Sequence, residues 1–189
     1  MIMECMNLQK VIEELSYYAG FVKEAEVDAA AEAIVGAKKI FVAGAGRSGF
    51  AARGFANRLM HLGFDTSFVG EPTTPPIKAG DLLIVGSGSG TTASLVSMAQ
   101  KAKEQGAKLL TVTIAPESKI GSMADAVICL PGTTRQLEGD SREKTGSIQP
   151  VGSMFEQLSW LVYDSMVMTL LDKTSQTFED LLERHGNME

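Results

Sequence analysis

Histidine, cysteine and tryptophan are scarce in this chain of 189 residues: two, two and one respectively, with aromatics at 6% overall. With histidine only at positions 61 and 185, the sequence offers no paired-histidine metal motif. Cys5 lies in a Met-rich leader and Cys129 in the apolar run 126–130, so they read as reduced thiols of a cytoplasmic protein rather than a disulfide framework. No apolar stretch is long enough to span a bilayer, and residues 1–10 lack the apolar block of a signal peptide. Positive charge is also in deficit. Lys and Arg number 17 against 23 Asp and Glu, and the net charge of −6 argues against nucleic acid as a partner. It does not argue against a phosphorylated metabolite, which local backbone amides can hold. What remains is an ordinary globular composition, 44% hydrophobic and 21% charged, read as one domain over 1–189. A chain of this length buries a core without a metal or disulfide staple.

The stretch that organises the rest is Ile84-Val85-Gly86-Ser87-Gly88-Ser89-Gly90-Thr91-Thr92, an apolar strand running into glycines and hydroxyls. An amphipathic helix is expected to follow over 93–105. Strand, small-residue turn and helix together build an anion site: glycines let the backbone come close, and the first helix amides point outward unpaired. Ser87, Ser89, Thr91 and Thr92 add donors without adding charge, which suits a phosphate monoester. The plain alternative is a strand-to-helix turn that merely favours Gly and Ser, but four hydroxyls in six positions exceed what a turn requires.

Taken in order, residues 8–20 and 22–36 read as helices from apolar residues at helical spacing. Strands are expected over 38–43, 64–69, 81–85, 108–114 and 126–130, with helices over 50–62, 93–105 and, briefly, 118–123. The prolines of 71–80 make that segment a loop. The polar stretch 131–152 is long for a structureless connection, and such loops are usually functional or mobile. A long helix over 153–173, apolar on most faces, suggests a subunit contact, and a short helix over 177–184 ends the chain. Apolar strands alternating with helices predict an α/β fold: a five-stranded parallel sheet covered on both faces, Rossmann-like, with N-terminal and C-terminal helices added.

Gly44-Ala45-Gly46-Arg47-Ser48-Gly49 matches GxGxxG between a strand and a helix, the dinucleotide fingerprint. Two features count against a nicotinamide cofactor. The only acid near the end of the second strand is Glu71, and the second glycine-rich corner at 86–90 has no task in that scheme. With both corners at the carboxyl ends of neighbouring strands, one can hold a phosphate while the other offers Arg47 and Ser48 to the adjacent hydroxyls. A cation in the first turn of a helix is unfavourable without an anion nearby, which favours a ligand role for Arg47.

These two corners, Gly44-x-Gly46-Arg47-Ser48-Gly49 and Ser87-Gly88-Ser89-Gly90-Thr91-Thr92, resemble the sugar isomerase (SIS) family of phosphosugar-binding domains. Arg58-Leu59-Met60-His61, Gly152-Ser153-Met154-Phe155-Glu156-Gln157 and Arg184-His185-Gly186-Asn187 are similar to its 6-phospho-3-hexuloisomerase branch. The resemblance covers the chain from about residue 8 to the end. It implies interconversion of D-arabino-3-hexulose 6-phosphate and fructose 6-phosphate without metal or coenzyme, in a formaldehyde-fixing ribulose monophosphate route, by a homotetramer. It also implies Glu156 as the base that takes the proton beside the carbonyl, a role that calls for partial burial. The competing reading makes Ser153-x-x-Glu156 a capping box of the last long helix. His61 and His185 are the remaining catalytic candidates. His61 lies thirteen residues past Ser48, about 20 Å along its helix, so if catalytic it serves a neighbouring subunit's site. Asn57, one turn earlier, is expected to share its surface. The other readings are a heptose or arabinose phosphate isomerase and a non-catalytic phosphosugar sensor.

Overall fold

The computed structural model describes residues 5–132 and 147–187. Most of the polar connection expected over 131–152 lies outside the described residues. The element order is α1 (Met6–Ala19), α2 (Glu24–Val35), β1 (Ile40–Gly44), α3 (Gly46–His61), β2 (Thr66–Phe68), β3 (Leu82–Gly86), α4 (Ala93–Glu104), β4 (Lys108–Thr113), a 3-10 turn (Gly121–Met123), β5 (Ala126–Cys129), α5 (Ser153–Thr174) and α6 (Phe178–Glu183).

The five strands form one parallel sheet in the order β2-β1-β3-β4-β5. Because strand side chains alternate, each apolar run feeds both faces. Ile40, Val42, Leu82, Ile84, Leu110, Val112 and Ile128 pack towards α2, α3 and α5, while Phe41, Ala43, Leu83, Val85 and Leu109 pack towards α4 and the 3-10 turn. The expected α/β architecture with helices on both faces is the one found. The long helix α5 sends Phe155, Leu158, Val162, Met166 and Leu170 into the core, leaving Trp160, Leu161 and Met168 exposed. Helix α1 has no buried residue; Leu15 and Tyr18 lean on the core while Leu8, Ile12 and Tyr17 face outward.

From β1 the chain moves outward to β2, then returns to place β3 on the other flank of β1. The direction of winding therefore reverses between β1 and β3, which opens a crevice at their carboxyl ends. Gly44 and Gly86, the last residues of the two strands, are register partners. Both glycine-rich corners thus leave the sheet at one level, side by side. The first corner is tight: a Cβ on Gly49 would lie 2.8 Å from the Gly44 carbonyl oxygen, so only glycine lets α3 approach β1 this closely.

One boundary differs in a way that matters. Helix α3 starts at Gly46, not Phe50, so Arg47, Ser48 and Gly49 belong to its first turn. Gly46 has φ of +58° and turns the chain directly into the helix.

Candidate active site

The second corner is built to hold its own shape. Ser87 and Ser89 are buried. Ser89 Oγ accepts from the Thr91 amide at 3.3 Å and from the Thr91 hydroxyl at 3.2 Å. The Gly88 carbonyl is pulled towards β4 by the Ile114 amide and the Thr113 hydroxyl, and the Gly90 amide closes on the Ser87 carbonyl. Gly90 has φ of +60°, and a Cβ there would lie 1.8 Å from Ser118 Oγ. Thr92 immediately precedes α4 but makes no side-chain cap hydrogen bond, and the first turn carries no acid. The leading amides of α4 therefore point out of a corner with no carboxylate to repel an anion.

Beside it, Arg47 Nε donates to Glu156 Oε2 at 2.5 Å. The Arg47 side chain is 68% exposed and that of Glu156 18% exposed, so the guanidinium faces solvent and largely covers the carboxylate. The hydrogen bond and charge of Glu156 push the Arg47 guanidinium further above its ordinary value, so it stays cationic. The anion that a cation in this first turn requires is thus supplied in part by the chain itself.

The capping-box reading of Glu156 is overturned. The residue before α5 is Gly152, in left-handed conformation with φ of +93°, and no side-chain cap hydrogen bond is made. Ser153 is therefore the first helical residue and Glu156 the fourth, one position too late to reach back to a capping residue's amide. A capping box does exist where α6 begins, between Thr177 and Asp180.

The two histidines, 124 positions apart, stack on one another with ring centroids 5.0 Å apart and planes at 24°. His61 ends α3 and is 3% exposed. Arg184 donates from a guanidinium nitrogen to the His61 carbonyl and to Gln176, which brings His185 over His61. His185 therefore sits on its own chain's His61. Asn57 shares that surface as expected, together with Arg58, Tyr163 and Asp164, around a cavity of about 210 Å³. A second hollow of about 280 Å³ holds Arg47, Glu156 and Gln157. Trp160 and Ala51 border both. The indole lies in a notch left by Gly54, where a Cβ would come within 2.8 Å of the ring.

The structure thus brings Arg47, Ser48 and Glu156 to one crevice edge with the Ser87–Thr92 corner next to it. It gathers His61 and His185 at the opposite end of the α3–α5 seam, about 20 Å along α3. Trp160, Tyr163 and Asp164 were not singled out from the sequence as site residues. The available signal was helical spacing: 156, 160, 163 and 164 on α5 and 47, 51, 54, 57, 58 and 61 on α3 recur at three- and four-residue steps, tracing the facing stripes of two packed helices.

Glu71, the one acid placed for a ribose, is bound by Arg53, whose guanidinium also lies 4.0 Å over the Phe68 ring. Among the described residues no group of three His, Cys, Asp or Glu side chains converges as metal ligands. No described helix is long and apolar enough to cross a membrane.

A reversing parallel sheet with two glycine-rich corners at the reversal defines an α/β fold with a ligand crevice at the carboxyl ends of β1 and β3. The SIS domain family model matches residues 33–140, and the chain belongs to that family. It is 43% identical over 180 residues to a Bacillus subtilis protein named 3-hexulose-6-phosphate isomerase, covering 95% of this chain and 96% of that one. A Mycobacterium gastri protein of the same name is 40% identical, covering 97% and 90%. A crystal structure from Methanococcus jannaschii, for which a 3-hexulose-6-phosphate isomerase function was inferred, is 30% identical with a TM-score of 0.79, covering 97% and 99%. With such relatives over nearly its whole length, the chain is an isomerase.

Proposed function

We propose that this protein interconverts D-arabino-3-hexulose 6-phosphate and fructose 6-phosphate by proton transfer through an enediolate, without metal or coenzyme. The observation that carries the reading is the Arg47–Glu156 pair at the edge of the crevice between β1 and β3. The phosphate group sits in the Ser87–Thr92 corner, held by hydroxyls, glycine amides and the leading amides of α4. Ser48 and Arg47 meet the sugar oxygens. When substrate oxygens take the Arg47 guanidinium, the Glu156 carboxylate is released to remove the proton from C3 of fructose 6-phosphate. Electron density moves to the carbonyl at C2, and the oxyanion is stabilised by Arg47 and by an imidazole. The O3 proton then moves to O2, and returning the abstracted proton to C2 leaves a hydroxyl at C2 and the carbonyl at C3; the reverse sequence regenerates fructose 6-phosphate.

The imidazole comes from a second subunit. A hexulose phosphate is far shorter than the separation between the Arg47 end and the His61 end of α3. A two-fold contact along the α3–α5 seam solves this: each subunit's His61 and His185 would meet its partner's Arg47 and Glu156, with Trp160 near the axis. Trp160 is 47% exposed and lies midway along the seam. Two such pairs give the homotetramer, a cytoplasmic enzyme of the ribulose monophosphate route of formaldehyde fixation. The direct test is a coupled assay from ribulose 5-phosphate and formaldehyde with a hexulose phosphate synthase supplied. Fructose 6-phosphate should appear only when this protein is added; its failure to appear would reject the reading.

A further inference from the structure

The catalytic scheme leaves the buried phenol of Tyr163 unused. The Tyr163 ring stacks flat on Phe55, centroids 4.6 Å apart and planes at 9°, which ties α5 to α3. The residue is 2% exposed, and its hydroxyl has no hydrogen-bond partner among the described residues. Burial pushes the phenol well above its ordinary value, so the hydroxyl is a neutral donor. A ring needed only for packing is better served by phenylalanine, which fills the same space and buries no donor.

The hydroxyl points at the floor of the crevice. It lies 2.8 Å from the position a Cβ on Gly86 would occupy, and that same position is 3.7 Å from the Ser48 carbonyl oxygen. Gly86 is the last residue before the Ser87–Thr92 corner, and its φ is not in the left-handed region. What requires glycine here is therefore room for the phenol rather than backbone conformation.

We propose that Tyr163 is a positioning residue of the crevice, its hydroxyl donating to the Ser48 carbonyl when a phosphate group draws the first turn of α3 towards the Ser87–Thr92 corner. A carbonyl has two lone pairs, so this bond adds to whatever the helix already makes there. It holds Arg47 and Ser48 against the bound anion from behind, without touching the substrate. The inference rests on the reading of this crevice as a phosphosugar site.

The test compares wild type with Tyr163→Phe, Gly86→Ala and the double variant. Calorimetric titration uses inorganic phosphate and fructose 6-phosphate, alongside thermal unfolding and steady-state kinetics. Without ligand, Tyr163→Phe should unfold at or above the wild-type temperature. It should bind fructose 6-phosphate about three- to tenfold more weakly, with KM rising by that factor and kcat changing less. Gly86→Ala, by displacing the hydroxyl, should show the same weakening. The double variant should stay weak, because space is restored but the donor is not. Wild-type affinity in Tyr163→Phe would overturn the proposal. So would earlier unfolding of that variant without ligand, which would mean the hydroxyl is already bonded in the empty crevice, or full recovery in the double variant, which would make the effect steric. A wild-type protein that binds fructose 6-phosphate without isomerising it fails the functional reading and leaves this comparison intact. One that binds neither ligand overturns both.

Discussion

Arg47 and Glu156, 109 positions apart, meet at 2.5 Å where the first turns of α3 and α5 converge on the crevice. In the proposed reaction this pair couples two roles: a substrate oxygen that takes the guanidinium would release the carboxylate to act as base.

Glu156→Gln keeps the side chain's size and a hydrogen bond to Arg47 but removes the base. Turnover should fall by about 10²- to 10⁴-fold while fructose 6-phosphate still binds within a few-fold of wild type. Steady-state kinetics and calorimetry together check this. Equal loss of binding and turnover would make Glu156 a structural partner of Arg47 only.

Arg47→Lys preserves charge but not the flat guanidinium whose Nε meets the carboxylate. Its KM for the phosphosugar should rise and its kcat should fall, since contacts to the ground-state oxygens and to the developing oxyanion are both weakened.

A site shared between subunits can be rebuilt from two dead proteins. Glu156→Gln and His61→Ala should each be inactive, yet mixing them through dissociation and reassembly should restore about a quarter of wild-type activity. Half the two-fold pairs are then mixed, and each mixed pair holds one intact site of two. Substituting His185 in place of His61 should behave the same way. No recovery in a verified mixed assembly would place both groups in the same subunit's site.

The close approach of Gly49 to the Gly44 carbonyl makes Gly49→Ala a packing test. The methyl meets backbone rather than the end of a flexible side chain, so the variant should lose about 1–3 kcal/mol in urea unfolding and weaken phosphosugar binding by displacing Arg47 and Ser48. Undiminished stability would show that α3 shifts freely.

Asp125 links strand and helix outside the site. Burial raises its pKa, but the hydrogen bonds from Lys103 and the Leu109 amide outweigh that, and the net shift is downward. A carboxyl depressed in the folded state contributes stability above its unfolded pKa and loses it as pH falls through the folded value. Asp125→Asn should therefore melt earlier than wild type at pH 7. The difference should shrink in acid, as thermal melts across pH 7 to pH 3 would record.

The sheet was legible because β1, β3 and β5 are unbroken apolar runs and β4 is largely one, and the corners because Gly, Ser and Thr are concentrated at two strand ends. The start of α3 was not, since Gly44 to Gly49 reads as loop by composition, while close packing of Gly49 on Gly44 lets the helix begin four residues earlier. Glu156 was ambiguous because Ser-x-x-Glu satisfies a capping pattern; a left-handed Gly152 shifts the register by one and leaves the carboxylate to pair with Arg47. The His61–His185 stack was out of reach, because it depends on Arg184 folding the last turn back onto the end of α3. Tyr163 was hidden for a similar reason: its position shows only when the seam between two helices distant in sequence is assembled.

Proton transfer by Glu156 at the carbon beside the carbonyl of a phosphosugar held in this crevice is tested most directly by following fructose 6-phosphate in D2O by NMR. Wild type should replace the C3 proton with deuterium as 3-hexulose 6-phosphate appears, and Glu156→Gln should do neither. Wild type without exchange, or the variant exchanging at the wild-type rate, would contradict the account.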